Sequence, residues 1–236
     1  APQTLPAPGP AAPRLPGTIH SPTLDTTPID SNLARVDAGD LVTYAVVVEN
    51  IGSSRRGVFD VSIRDALPPG MAVPAGGLNL RVTDGTGAPL VFTPDGGGLL
   101  DPAGGIVLDD PGNTPGDVDG NDAGSLDEFD PTDGRNLVII TYDLEVLPSA
   151  QPGAVLSSDA TLYNFAGAEG GADFTTVDLT DDASTTVQPV GIIKAITGTS
   201  EPTTSANNVT IGETVTYTAT ITLPEGGLHA AVWTAT

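Results

Sequence analysis

The chain has 236 residues, with 30 acidic and 8 basic side chains and a formal charge of −22 at neutral pH. Such a negative field repels nucleic-acid phosphates and anionic lipid headgroups, so we expect neither as a partner. Hydrophobic residues make up 39% of the sequence, which is too many for a wholly disordered chain. No stretch approaches the roughly 18 apolar residues that cross a bilayer, so no membrane span is expected. Cysteine is absent, and the acidity together with a single lysine, Lys194, favours an exported protein.

Residues 1–29 contain eight prolines and form the predicted leader of the chain. Proline fixes φ and lacks an amide hydrogen, so we expect an extended, polyproline-like leader rather than a helix. Two roles are open for it. It is a linker or stalk, or it is a segment that docks onto a neighbouring subunit.

Residues 41–49 alternate with a period of two, which predicts a strand with one buried face. The buried set is uniformly apolar: Val42, Tyr44, Val46 and Val48. Further strands, separated by Gly and Pro turns, are predicted at Val58–Arg64, Leu78–Val82, Leu90–Phe92, Leu137–Val146, Ala154–Phe165 and Phe174–Val187. Many short strands joined by such turns predict an all-β fold, an immunoglobulin-like antiparallel β-sandwich over residues 30–190.

An internal repeat predicts a second module. The hexapeptide GDLVTY at 39–44 returns as GETVTY at 212–217, an offset of 173 residues. Repetition at the spacing of a domain indicates tandem modules, each with its own core. Residues 191–236 are therefore interpreted as a partial second immunoglobulin-like repeat, or as strands donated to a neighbour. If the modules are alike, Tyr44 and Tyr217 should lie in equivalent surroundings.

The sequence GDLVTYAVVVEN at 39–50, followed by VSIRDALPPG at 61–70, resembles the repeat of very large bacterial surface proteins. It is similar to the isopeptide-forming domains of fimbrial and adhesin stalks. The resemblance covers most of residues 30–190 and the opening of 191–236. It implies an immunoglobulin-like spacer in a fibre at the bacterial cell surface, outside the cell.

That family joins a lysine of the first strand to an asparagine of the last strand, with an acid nearby to handle protons. The resemblance puts Asn164 at the asparagine position of the first module, but residues 21–25 contain no lysine. The first module therefore should not form this bond. Lys194 lies where the lysine of the second module belongs, so it is either a candidate cross-linking residue or an ordinary strand lysine.

Residues 93–136 are predicted to be a long acidic loop inserted in the sandwich. Ten acids and no base lie between Asp101 and Asp133. Within the insert, DVDGNDAGSLDE at 117–128 spaces oxygen ligands much as a calcium-binding EF-hand loop does, although Asp122 replaces the usual glycine and no flanking helices are predicted. The candidate calcium ligands are Asp117, Asp119, Asn121, Ser125, Asp127 and Glu128. The alternative is a solvated acidic loop that keeps the protein soluble.

Catalysis has little support in the sequence. The two histidines, His20 and His229, lie at opposite ends of the chain, and no zinc-binding or phosphate-binding motif is present. We therefore expect a structural module of an exported bacterial surface fibre or adhesin stalk, not an enzyme. It would be stabilised by calcium and assembled by strand donation, with copies of itself or adjacent repeats as partners. The alternative is a calcium-dependent adhesive module that recognises glycan or protein.

Overall fold

A computed structural model describes residues 18–24, 31–53, 55–110, 124–202, 204 and 208–223. Within these residues the chain forms one short helix and twelve strands. They are α1 (Ser21–Leu24), β1 (Asn32–Val36), β2 (Leu41–Glu49), β3 (Phe59–Asp65), β4 (Met71–Ala72), β5 (Arg81–Asp84), β6 (Phe92–Asp95), β7 (Gly105–Leu108), β8 (Leu137–Val146), β9 (Val155–Ala166), β10 (Leu179–Val187), β11 (Gly191–Thr199) and β12 (Val215–Thr222).

The strands form two sheets of a sandwich and a separate hairpin. One sheet has the order β1-β10-β9-β3-β7-β6, and the other has the order β2-β8-β4, with β5 also paired to β8. The hairpin is β11-β12. Neighbouring strands are antiparallel, except that β1 runs parallel to β10. The predicted all-β, immunoglobulin-like sandwich is confirmed.

The core lies between the two sheets and depends on the alternation predicted for β2. Val42 and Tyr44 are buried, and Val46 and Val48 pack against the same core. Strand β8 matches its predicted bounds and is buried along nearly its whole length. A strand with one face in solvent would be buried only at alternate positions, so both faces of β8 are covered.

The end of the leader covers the first part of the second face of β8. Ile19 is buried against Leu137 and Ile139, and its amide donates to the carbonyl of Gly85 at 2.7 Å. A Cβ atom at Gly85 would lie 2.0 Å from the Ile19 oxygen, so this close approach requires glycine. The last part of the leader therefore packs on the sandwich of its own chain.

The expectation that the leader contains no helix is wrong for residues 21–24. Ser21–Leu24 form one helical turn, in which Pro22 sits in the first turn, where a missing amide hydrogen is harmless. The Thr23 hydroxyl closes the turn by donating to the His20 carbonyl at 2.8 Å. Local capping thus overrides the extended tendency of the leader.

The bounds predicted for the acidic insert, 93–136, also need correction. Strands β6 and β7 lie partly or wholly inside it and close one edge of the six-stranded sheet. Leu99 and Leu126 are buried in the core. The sandwich therefore extends into both ends of the insert.

The two copies of the repeat begin with the same turn. Gly39 and Gly212 have φ values of 87° and 88°. In each copy the next acid, Asp40 or Glu213, accepts a hydrogen bond from the amide three residues earlier, at 2.8 Å and 2.9 Å. Its own amide donates back to the carbonyl of that earlier residue, at 3.1 Å in both copies. The motif therefore specifies the same local structure at both places.

The expectation of equivalent surroundings for the two tyrosines is wrong as regards burial. Tyr44 is 7% exposed and Tyr217 is 53% exposed. Tyr44 faces the opposite sheet of the sandwich, whereas no second sheet packs on the hairpin within the part of the chain that the structure describes. The two copies of the repeat therefore share the turn and the strand, but only the first copy has a buried tyrosine.

Candidate functional site

The predicted calcium ligands are only partly within the described residues. Asp117, Asp119 and Asn121 lie outside them. Of the other three, Ser125 is buried and its hydroxyl donates to an Asp110 oxygen (Oδ1) at 2.5 Å. This hydrogen bond joins Ser125 to the segment that follows β7.

Asp127 and Glu128 lie at the far end of the insert. Burial raises the pKa of the Asp127 carboxyl, the nearby Arg135 opposes this shift, and the charge of Asp133 adds to it. Glu128 is exposed. Negative charges therefore lie close together at this end of the insert.

Three acidic side chains lie close together just after β7. Carboxylate oxygens of Asp60, Asp110 and Glu169 lie within 4.8 Å of one another. Burial raises the pKa of Asp60, the charge of Asp110 raises it further, and the amides of Gly170 and Gly171 lower it by hydrogen bonding. Carboxylates crowded in this way repel one another unless a proton or a hard cation offsets the charge.

Sequence reasoning missed Asp60 and Glu169. They come from β3 and from the loop after β9, far from the insert in sequence. Asp60 has a φ of 56° at a point where the β3–β9 register shifts. No sequence pattern marks that bulge, so the contact of Asp60 with Asp110 was not predictable.

A buried polar group joins the two sheets at the centre of the sandwich. The Tyr142 hydroxyl, on β8, donates to an oxygen (Oδ2) of Asp65, on β3, at 2.5 Å. The Ser158 hydroxyl and the Ala66 amide donate to the other oxygen at 2.8 Å and 2.7 Å. Burial raises the pKa of Asp65, against these hydrogen bonds, which lower it. Because the carboxylate of Asp65 accepts hydrogen bonds from three donors, on both sheets, Asp65 links the two sheets.

Tyr44 makes a second link beside the first. Its ring stacks on Tyr142 with centroids 5.5 Å apart. Its hydroxyl lies 3.1 Å from the Thr185 hydroxyl on β10 and donates to the Met71 sulfur at 3.3 Å. The tyrosine of the GDLVTY motif thus links one sheet to the other.

Lys194 lies on the apolar face of the hairpin. The alternation of β11 places it between Ile192 and Ile196, and its ammonium lies 4.2 Å from the centroid of the Tyr217 ring. Asn164, the asparagine implied by the family resemblance, lies on β9 in the sandwich, and its buried side-chain oxygen accepts no hydrogen bond from the described residues. The two residues belong to separate sheets.

Comparisons with known proteins give structural likeness only. No family model matches the sequence, and no curated protein matches it closely. The major pilin subunit of Bacillus cereus is similar at 14% identity and a TM-score of 0.42, over 70% of this chain and 39% of the pilin. The group B streptococcus pilus 2b backbone protein is similar at 19% identity and a TM-score of 0.38, over 81% of this chain and 74% of that protein.

A family 123 glycoside hydrolase from Clostridium perfringens is similar at 13% identity and a TM-score of 0.29, over 67% of this chain and 23% of the hydrolase. The chain therefore spans less than two thirds of the Bacillus cereus pilin and about a quarter of this hydrolase. At these levels of similarity, none of the three assigns a function. Among the described residues, no helix has the length and apolar character needed to cross a membrane.

Proposed function

We propose that the chain is a structural subunit of an exported bacterial surface fibre, in which the sandwich carries tension. The observation that supports this most directly is the pairing of β1, the first strand of the sandwich, with β10, its last strand. These two strands are parallel, with Asn32 opposite Ser184 and Val36 opposite Val187.

This geometry resists a pull on the two ends of the sandwich. Tension at the start of β1 and at the end of β10 moves the two strands in opposite directions along their axes. All the backbone hydrogen bonds between them are then loaded together, including Ser184 amide to Ser31 carbonyl at 2.8 Å and Gln188 amide to Val36 carbonyl at 2.9 Å. Strands pulled apart from one end would break such bonds one at a time.

Immunoelectron microscopy of intact cells of the source bacterium tests the fibre role. We expect antibodies against the purified chain to label linear arrays that extend from the cell surface. Label confined to the cell interior would contradict the proposal. Label only at fibre tips, together with calcium-dependent binding to glycan or protein, would favour an adhesive module instead.

We propose also that calcium stabilises the acidic insert. The crowded carboxylates of Asp60, Asp110 and Glu169 and the excess of acids within the insert support a divalent cation, because oxygen ligands and negative charge are what calcium prefers. A cation there would join β3, the insert and the loop after β9. It would thereby order a segment with little apolar surface of its own.

Lys194 is the candidate for a covalent cross-link of the second module. It lies on the apolar face of β11, between Ile192 and Ile196. Attack of this amine on an asparagine carboxamide forms an amide bond and releases ammonia. Intact mass spectrometry of a longer chain that includes the whole second module tests this: we expect a mass lower by one ammonia per bond, and a mass equal to the sum of that sequence would exclude the bond.

A further inference from the structure

Strand β2 has one edge that no described strand covers. On its inner edge, the Asp40 carbonyl accepts from Val146 and the Asn50 amide donates to Asn136, at 3.0 Å and 2.8 Å. Successive residues of a strand point their backbone groups to opposite edges. The even-numbered residues of β2 therefore face β8, and the odd-numbered residues, such as Thr43 and Ala45, face outward.

In the second copy of the repeat, a strand pairs with the edge that corresponds to the outward edge of β2. On β12 the Thr214 carbonyl accepts from the Ser200 amide at 2.9 Å, so the even-numbered residues of β12 face β11. With the offset of 173 between the copies, Thr214 corresponds to Leu41. The edge of β12 that β11 occupies is thus the same edge that is open on β2.

In the first copy, the segment that corresponds to β11 contains a proline. The offset aligns Pro22 with Ala195, and Ala195 pairs with Thr218, one of the residues that face β11. The amide of Ala195 therefore points to β12, and proline has no amide to do the same on β2. Residues Ser21–Leu24 form a helical turn instead.

Strand β11 has the complementary open edge. Its residues Gly191, Ile193 and Ala195 face β12, so the alternating residues Ile192 and Lys194 direct their backbone groups away from it. No other described strand pairs with β11. Its apolar side chains are exposed, Ile192 at 71%, and an isolated two-stranded hairpin is marginally stable in water.

We propose that the open edge of β11 in one copy pairs antiparallel with the open edge of β2 in a second copy. The inference rests on the proposed fibre role and adds the contact that assembles the fibre. The hairpin supplies the strand that the first copy lacks, and main-chain hydrogen bonds carry the contact, as in strand addition to a sheet edge. Because the two edges differ, the contact is head-to-tail and leaves an open edge at each end, so repeated contacts build a filament unless the rotation between copies closes a ring.

Analytical ultracentrifugation of the full chain tests this with three proline variants. Ala45→Pro removes an outward amide of β2, and Ile192→Pro removes an outward amide of β11. Ala219→Pro is the matched control, because its amide faces away from β11 and lies outside the proposed contact. We expect the wild-type chain and the control to gain mass with concentration, and each edge variant to associate about tenfold or more weakly.

Mixing the two edge variants distinguishes this contact from others. Each retains the edge that the other has lost, so the mixture should form dimers that do not grow further. In the wild-type chain, hydrogen exchange at the Ala45 amide should slow as concentration rises, a readout that needs no variant. A wild-type chain that stays monomeric with an unprotected Ala45 amide, or a mixture that stays monomeric, would overturn the inference. The mechanical role of the single sandwich would be unaffected by that result.

Discussion

Tyr142 joins the two sheets through a single side chain, since its hydroxyl reaches Asp65 from the opposite sheet and is fully buried. We predict that Tyr142→Phe lowers the free energy of unfolding by about 1.5–3 kcal/mol, the range for a hydrogen bond to a charged group. Urea unfolding measures this. Tyr217→Phe is the matched control, because Tyr217 is exposed, and it should change stability little. Equal effects of the two substitutions would show that the link contributes nothing.

The raised pKa of Asp65 predicts that the free energy of unfolding depends on pH. Burial raises the pKa of its carboxyl, so the folded chain binds the proton more tightly than the unfolded chain does. The stability contributed by this group is fully present below its usual pKa of about 4 and is lost as the pH rises through the raised pKa. A carboxamide does not titrate, so Asp65→Asn should gain stability relative to the wild type over that window. Thermal melts from about pH 3 to about pH 8 measure the difference, and a difference that is constant with pH would contradict it.

Calcium binding is predicted to depend on Asp60. At a hundredfold excess over Kd, calcium should stabilise the chelator-treated chain by about 2.7 kcal/mol. Asp60→Asn should reduce this gain, because it removes one of three crowded carboxylates. Asp182→Asn, an exposed acid on β10, is the control and should retain it. Calorimetric melts that are the same with calcium and with chelator would contradict calcium stabilisation of any part of the chain.

Among the elements, the docked end of the leader can be perturbed at Gly85. A Cβ at Gly85 would lie 2.0 Å from the Ile19 oxygen, whereas one at Gly76 would meet nothing within 4 Å. We predict that Gly85→Ala releases Ile19 from its site and costs about 1.5–3 kcal/mol, the value of burying such a side chain. Gly76→Ala should be close to neutral. Faster hydrogen exchange at the Ile19 amide in Gly85→Ala alone would confirm the release, and unchanged exchange would contradict it.

The strands that could be predicted are those whose alternation is long. Strands β2 and β8 have nine and ten residues, and their apolar positions repeat often enough to show a period of two. Strand β7 has four residues within an acid-rich loop, and β1 contains Arg35 with a φ of 67°. Such strands are set by the sheet they join, so the local sequence does not reveal them.

The same limit applies to the candidate sites. The acidic insert was evident from charge alone, and the spacing at 117–128 predicted calcium ligands within it. Asp60 and Glu169 could not be predicted, because they meet Asp110 only through the bulge in β3 and the loop after β9. The link between Asp65 and Tyr142 likewise depends on how the two sheets face each other.

At the scale of the whole molecule, the sandwich and the hairpin share one local feature. Both begin with the same glycine turn, yet only the first copy has a second sheet over its motif tyrosine within the described residues. Among the described strands, β2 keeps one edge unpaired and the apolar side chains of the hairpin are exposed, and our proposal is that neighbouring copies cover both.

Single-molecule force spectroscopy tests the proposed mechanical role most directly. The chain has no cysteine, so introduced pairs define where it is pulled. Ser31→Cys with Gln188→Cys loads β1 against β10 in shear, and Ser31→Cys with Asp182→Cys opens the same pair from one end. We predict that the sandwich unfolds at a clearly higher force in the first geometry, and unfolding at the same force in both geometries would contradict a role in carrying tension.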